Sequence, residues 1–327
     1  MELWTNEWND VTPIKQPISN NAVAQIAYTP EFDVVMNYFR AVLSSGEKSE
    51  RALELTKRVI EGNAANYTAW FYRRECLFEL ASDLYVELKF ITECSLESPK
   101  NYQIWYHRRA IVDKLGDSSQ ELNFIKTILD DDAKNYHAWS YRQFVVSRFD
   151  LWDGELQFTA TLIEEDIRNN SAWNQRWFVI EKTCGFKDVP FLSEELEYVM
   201  DCAELAPNNE SPFNYLLGIF RLLKKSSLDE LFFSSVKTVL AWGEGLLVKL
   251  ADKSHSQLLA AHPPTVIGLL FELNVFSGNI PQAISLATNL ADEYDSIRCK
   301  YWNYRINKIQ ESAPLANSVG PPVIQSS

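Results

Sequence analysis

Four times along this chain an Asn is followed four residues later by a Trp and three residues after that by an Arg. The copies are "NYTAWFYRR" around Trp70, "NYQIWYHRR" around Trp105, "NYHAWSYRQ" around Trp139 and "NNSAWNQRW" around Trp173. Successive tryptophans lie 35, 34 and 34 residues apart. That period suits a helical hairpin, a unit too small to bury its own apolar face, so copies must stack into an array with a continuous core. A fifth unit, "NESPFNYLLG", follows 40 residues on, with Asn209 kept, Phe213 in the Trp place and no Arg. Near the end "KYWNYRINK" brings back Trp302 and Arg305 without the leading Asn. The array therefore blurs toward its C-terminal end, as terminal repeats do.

The segments between the signatures carry the helical period. In "SSQELNFIKTILDDDA", Leu122, Ile125, Ile128 and Leu129 form one apolar stripe. "SERALELTKRVIEGN", "LYVELKFITECSLES" and "GELQFTATLIEEDIRNN" occupy the same place in their repeats, and the stretch after each Trp, such as "AWFYRRECLFELAS", supplies a second stripe. Each repeat is thus expected to be an antiparallel hairpin whose loop Asn N-caps the second helix. Upstream, "YTPEFDVVMNYFRAVL" reads as a helix with Thr29 as N-cap, Pro30 in the first turn, and Glu31 and Asp33 complementing the dipole. Three regions follow: an extended arm over 1–27 with Trp4 and Trp8, a helical-repeat domain over 28–311, and a flexible Pro- and Ser-rich tail over 312–327. "KKSSLDELFFSSVKTVL" belongs to no clear repeat.

Composition narrows the function. Hydrophobic residues make up 46% and glycines number only 11, which fits a helical, well-packed chain. A net charge of -13 excludes nonspecific nucleic-acid binding and docking on anionic membranes, both of which need clustered Lys and Arg. No run approaches 18 apolar residues, and "MELWTNEWND" lacks the basic and apolar regions of a leader, so a soluble, cytoplasmic chain that is not an integral membrane protein is expected. Cys76, Cys94, Cys184, Cys202 and Cys299 are odd in number and scattered, and the four histidines lack ligand spacing. Any metal is expected to come from elsewhere. Gly-rich phosphate loops, nucleophile elbows and metalloprotease motifs are absent from the sequence.

The repeated Trp reads as a packing residue that spaces one hairpin against the next. The Arg has three readings: capping loop carbonyls, pairing with acids of the neighbouring repeat, or reaching a ligand. Lys100 and Lys134 directly precede their Asn-Tyr, with Ala65 and Arg168 at the matching positions, so all four share one loop edge. A Lys there is either a solvated surface residue or a point charge for a phosphate. Tyr67, Tyr102 and Tyr136 each offer an O–H to an anion, and His137 offers a further donor or a structural ring. The run "LDDDAKN" reads as a solvent-facing helix end.

The repeated unit resembles the prenyltransferase α-subunit repeat. "NAANYTAWFYRR", "PKNYQIWYHRR", "AKNYHAWSYRQ", "LWDGELQ", "RNNSAWNQR" and "NESPFNYLLG" occur in the order expected of the α subunit shared by protein farnesyltransferase and protein geranylgeranyltransferase type I, over about residues 28–220. The resemblance implies an all-α, right-handed superhelix, a tetratricopeptide-like α-solenoid forming a crescent around a separate β subunit. That β subunit, an α/α barrel, would hold the catalytic Zn2+ and most of the isoprenoid pocket, with Mg2+ as an additional ion for farnesyl transfer. Lys100 matches the lysine that contacts the isoprenoid diphosphate, Tyr102 and His137 match groups beside that diphosphate, Gln103 matches the glutamine that binds the protein substrate's C-terminal carboxylate, and Tyr67 belongs to the same surface. The implied partners are the β subunits of both enzymes, farnesyl or geranylgeranyl diphosphate, and CaaX-ending proteins such as small GTPases. Two other readings stand beside this one: the α subunit of Rab geranylgeranyltransferase, and a non-catalytic tetratricopeptide-like scaffold. Pro212 restricts the residue before it toward extended backbone, so the fifth hairpin is expected to enter differently. A face made to grip a barrel predicts poor solubility of the chain alone.

Overall fold

Six of the first seven helices begin where a side chain closes them. In the computed structural model, which describes residues 6–17, 23–24, 26–186, 188–225, 228–253 and 262–312, Thr29 accepts the Phe32 N–H at the head of α1 (Pro30–Ser45). Ser49 does the same for α2 (Glu50–Gly62), Asn66 for α3 (Tyr67–Glu79) and Asp83 for α4 (Leu84–Glu97). Asn101 caps α5 (Tyr102–Leu115) and Asn135 caps α7 (Tyr136–Phe149), whereas α6 (Glu121–Asp131) has no side-chain cap. The loop Asn thus performs the capping expected of it, satisfying N–H groups that have no partner within the helix. Gly116, at φ 70°, ends α5 in the left-handed conformation that a side chain disfavours.

The chain divides into two compact units, Met1–Leu151 and Trp152–Ser327. In the first, α2 with α3, α4 with α5 and α6 with α7 form antiparallel hairpins, and the second helices α3, α5 and α7 stack in order. Val59, Ile60, Trp70, Ile91, Ile104 and Ile111 lie in its core. On α6 the buried stripe is Phe124, Ile125, Ile128 and Leu129, with Leu122 half-buried at its margin. The N-terminal arm is anchored as well as laid over the unit: Trp8 is buried, the Arg51 guanidinium stacks 4.6 Å from its ring, and Arg51 also bonds Asp10 and the Glu7 carbonyl.

In the second unit, α8 (Glu155–Glu165) pairs with α9 (Asn170–Lys182), and α10 (Val189–Leu205) with α11 (Glu210–Lys225). Pro212 does not alter the entry of this fifth hairpin. It sits in the first turn of α11, where the missing N–H would have had no intrahelical partner, and Asn209 still accepts the Ser211 N–H at 3.3 Å. Past the repeats come α12 (Asp229–Lys253), α13 (Pro264–Ser277), α14 (Ile280–Asn289) and α15 (Cys299–Ser312). By length and composition α12 could cross a membrane. It packs on α11 and α13, with Phe232, Val236, Val239 and Leu246 buried, and Gly243 lies so close to Leu270 that an added Cβ would meet its side chain at 2.9 Å. α13 is apolar on nearly every side and correspondingly buried. A second core joins Phe271, Ala287, Leu290 and Trp302. No strand occurs among the described residues. Beyond Ser312, the tail expected at 312–327 lies outside them, as does His255.

Candidate functional site

The Trp and Arg of the signature face inward. The indole N–H groups of Trp70, Trp105, Trp139 and Trp173 donate to carbonyls six residues earlier, at 2.8, 2.8, 3.0 and 3.0 Å. Arg73 donates twice to Glu87, at 2.7 and 2.6 Å, and Arg108 twice to Glu121, at 2.7 Å each. Arg176 pairs in the same way with Glu195. Each of these glutamates lies in the first helix of the next hairpin, so the Arg reading as a partner for a neighbouring acid is the one the geometry shows. A third side chain, two residues after the next Trp place, completes each cluster: His107 on Glu87 at 2.8 Å, Tyr141 on Glu121 at 2.6 Å, Tyr215 on Glu195 at 2.7 Å. Gln175 donates to Glu155 likewise, at 3.1 Å. The remaining guanidinium N–H groups reach the first helix of their own hairpin, at Leu53 and Thr92, so one Arg ties three helices. None of these glutamates was singled out from sequence.

Burial alone would raise the Glu87 carboxyl, but hydrogen bonds from His107 and Arg73 outweigh it and hold the group below its usual range. Burial pushes His107 down. Arg74 stands 3.2 Å from His107 Nδ1, and an arginine only donates, so Nδ1 accepts and the imidazole proton sits on Nε2, toward Glu87. In the Glu87 cluster the donors and acceptors are thus matched to one another.

Two of the loop Asn side chains also lock neighbouring loops together. Asn135 caps α7 with its oxygen while its Nδ2 donates at 3.2 Å to the Pro99 carbonyl, which also accepts the Trp105 indole. Asn209 repeats the stitch in the second unit, donating at 2.8 Å to the Ile167 carbonyl that accepts Trp173. The Asn of one repeat and the Trp of the repeat before it thus share one acceptor.

On the outer side of this stitch lies the loop edge. Lys100 follows Pro99, its side chain is 75% exposed, and its Nζ lies 3.1 Å from Asp132 Oδ2. Tyr102, the first residue of α5 and 67% exposed, meets the His137 ring edge-on, with centroids 4.2 Å apart at 88°. Tyr136 meets the same imidazole at 5.5 Å. Partial burial lowers the His137 pKa, opposed by a hydrogen bond from its ring to the Lys100 main chain. Gln103 is half-buried beside Tyr102, and a surface recess is lined by Ala65, Pro99, Lys100, Tyr102 and Gln103. Tyr67 occupies the equivalent helix start one hairpin earlier, 71% exposed, outside that recess. The edge therefore brings together Lys100, Tyr102, Gln103 and His137: one ammonium, a phenol, an amide and an imidazole open to solvent, a donor set suited to an anion. Asp132, taken in the sequence as solvent-facing, joins it. Among the described residues no three His, Cys, Asp or Glu side chains converge to hold a metal ion.

Stacked hairpins, a buried Arg–Glu ladder and a donor-rich loop edge define a helical-repeat protein with a candidate anion-binding edge. Five segments, 49–80, 84–115, 118–149, 152–183 and 192–223, match the protein prenyltransferase alpha subunit repeat, and each coincides with one hairpin. A Schizosaccharomyces pombe relative named protein farnesyltransferase/geranylgeranyltransferase type-1 subunit alpha is 51% identical over 246 residues, covering 75% of this chain and 83% of its own. A Dictyostelium discoideum relative of the same name is 35% identical over 319 residues, 95% of each. Arabidopsis thaliana and Pisum sativum relatives match over 85 residues, so the chain spans about a quarter of their length. Among solved structures, Candida albicans protein geranylgeranyltransferase-I complexed with GGPP superimposes with a TM-score of 0.79 at 29% identity, covering 92% of this chain and 97% of the other. The chain belongs to the protein prenyltransferase α subunit family.

Proposed function

We propose that this chain is the α subunit of a heterodimeric CaaX protein prenyltransferase, which moves a farnesyl or geranylgeranyl group from its diphosphate to a cysteine near a protein's C-terminus. The observation that carries this reading is the gathering of Lys100, Tyr102 and His137 on one loop edge in a chain of this family. In the reaction the substrate thiolate sulfur forms a bond to C1 of the prenyl chain as the C1–O bond breaks, and the bonding pair stays on the departing diphosphate. Lys100 neutralises that growing charge and the Tyr102 O–H donates to a diphosphate oxygen, while His137, whose ring bonds the Lys100 main chain and packs on Tyr102, stands beside the diphosphate and holds both groups in place. Fixed donors of this kind act without reorganising as the charge develops. Gln103, at the side of the recess, takes the substrate's C-terminal carboxylate, and Tyr67 extends the same surface.

Residues 28–311 serve as the repeat domain that grips a β subunit, of farnesyltransferase or of geranylgeranyltransferase type I, with residues 1–27 as its arm. The β subunit holds the Zn2+, which supplies the thiolate by lowering the thiol pKa, and Mg2+ adds counter-charge in farnesyl transfer. The substrates are CaaX-ending proteins such as small GTPases, and the setting is the cytoplasm.

The test is prenyl transfer from labelled farnesyl or geranylgeranyl diphosphate to a peptide ending Cys-aliphatic-aliphatic-Ser or -Leu. The tagged chain is purified with its co-expressed β subunit and, separately, alone. Activity confined to the complex is expected. A monodisperse monomer at high concentration, with no transfer in either preparation, overturns the reading in favour of a scaffold.

A further inference from the structure

The ion pair between Lys100 and Asp132 joins the loop of the second hairpin to that of the third. Asp132 has two tasks, because Oδ1 accepts the Lys134 N–H at 3.1 Å while Oδ2 faces the Lys100 ammonium at 3.1 Å. The turn requires an acceptor but no charge: Asn63 makes it with an amide, accepting the Ala65 N–H at 3.0 Å, and Asp166 makes it with a carboxylate at 2.9 Å. The negative charge of Asp132 is therefore free to act on Lys100. The acid is the fixed end of the pair, its side chain 33% exposed against 75% for the lysine. The third hairpin holds Lys100 on both sides as well, since Asn135 bonds the Pro99 carbonyl before it and His137 packs on the Tyr102 ring after it.

We propose that Asp132 is a positioning residue for Lys100: it holds the ammonium at the loop edge and, as a competing anion, weakens the ammonium's hold on the released diphosphate. This rests on Lys100 acting as the diphosphate's cation. Pairs this exposed are worth at most about 1 kcal/mol, or about fivefold, so the effect is modest and two-sided.

The experiment compares wild-type, D132N, D132E, K100A and K100A/D132N heterodimers in single-turnover transfer and in inhibition by inorganic diphosphate. Asn keeps the turn acceptor, as Asn63 does, so D132N folds. D132N is expected to slow single turnover about threefold to fivefold while tightening diphosphate inhibition by a similar factor. D132E is expected to recover part of both changes, and D132N is expected to have no further effect once Lys100 is Ala. A wild-type single-turnover rate in D132N, inhibition that is unchanged or weaker, or full additivity in the double variant overturns the assignment. A wild-type rate in K100A overturns the reading of Lys100 instead.

Discussion

The second repeat presents two regions cut from one short stretch of chain. Trp105 and Arg108 point into the stack, where their N–H groups meet Pro99, Glu121 and Thr92, while Lys100 and Tyr102 point outward and keep most of their donors for solvent. Both regions are polar, and burial separates them. Inside, an unmatched charge costs several kcal/mol, so Arg, Glu and a third donor come as a closed set. Outside, an ammonium can wait with only a weak counter-ion, and an incoming anion can displace that counter-ion. One repeat can hold both because Lys100 lies in the loop and Tyr102 is the first residue of α5, at the rim of the stack, whereas Trp105 and Arg108 lie one and two turns further into the helix.

The sharpest way to break this comparison is to open the ladder. Arg108→Ala leaves the Glu121 carboxylate and the Tyr141 hydroxyl buried without their guanidinium, and removing one partner of a buried pair costs about 3–5 kcal/mol. Thermal unfolding of the heterodimer should show a large fall in melting temperature. A fall of only a degree or two would mean that the pair carries no more than a surface contact. Lys100→Ala is the counterpart on the edge. It should leave melting unchanged and lower kcat by about 10²- to 10³-fold, the usual loss for one fixed donor to a developing oxyanion. A Lys100→Ala variant that melts early while keeping its rate would exchange the roles of the two regions.

A smaller effect tests the stitch between them. Asn135→Ala removes the cap of α7 and the bond to the Pro99 carbonyl, at a cost of about 0.5–2 kcal/mol. Because that bond lies directly behind Lys100, transfer should slow severalfold as well. Lost stability with full activity would show that the edge holds its shape without the stitch.

Periodicity made the hairpins, their caps and the inward Trp readable, because each is a local relation repeated several times. The ladder's glutamates were not readable in the same way. Glu87 and Glu121 follow their arginines by 14 and 13 residues, but Glu195 follows Arg176 by 19, since α10 begins with extra residues ahead of its Glu and its loop is slightly longer. A relation between helices survives such an insertion, whereas a fixed spacing does not. The residue two after each Trp was the available signal: His107, Tyr141, Gln175 and, after Phe213, Tyr215 differ in type but all donate to a Glu. Asp132 stayed hidden among three consecutive aspartates, which only the neighbouring loop tells apart. Pro212 misled for the opposite reason: it was judged by its local segment, whereas the helix's own first turn absorbs it.

The finest test concerns the charge of the ladder's one histidine. Burial lowers the His107 pKa from its ordinary 6.5, so the unfolded chain binds a proton there at higher pH than the folded one. The stability this neutral imidazole contributes is complete above pH 6.5 and is lost as pH falls from there toward the folded value. His137, also lowered, adds a part of the same sign. Glu87 acts in a separate window, losing its contribution only as pH falls below its ordinary 4.5. The fourth repeat supplies the variant, because Gln175 does at Glu155 what His107 does at Glu87. In His107→Gln the amide N–H can donate to Glu87 and its oxygen can accept from Arg74, so stability at pH 7.5 should stay within about 1 kcal/mol of wild type. Between pH 6.5 and 5.5 the variant should lose less stability than wild type and keep the residual slope of His137. Equal slopes for the two proteins would mean that His107 carries a charge inside the ladder, and the separation between a neutral-donor interior and a charged edge would fail at that residue.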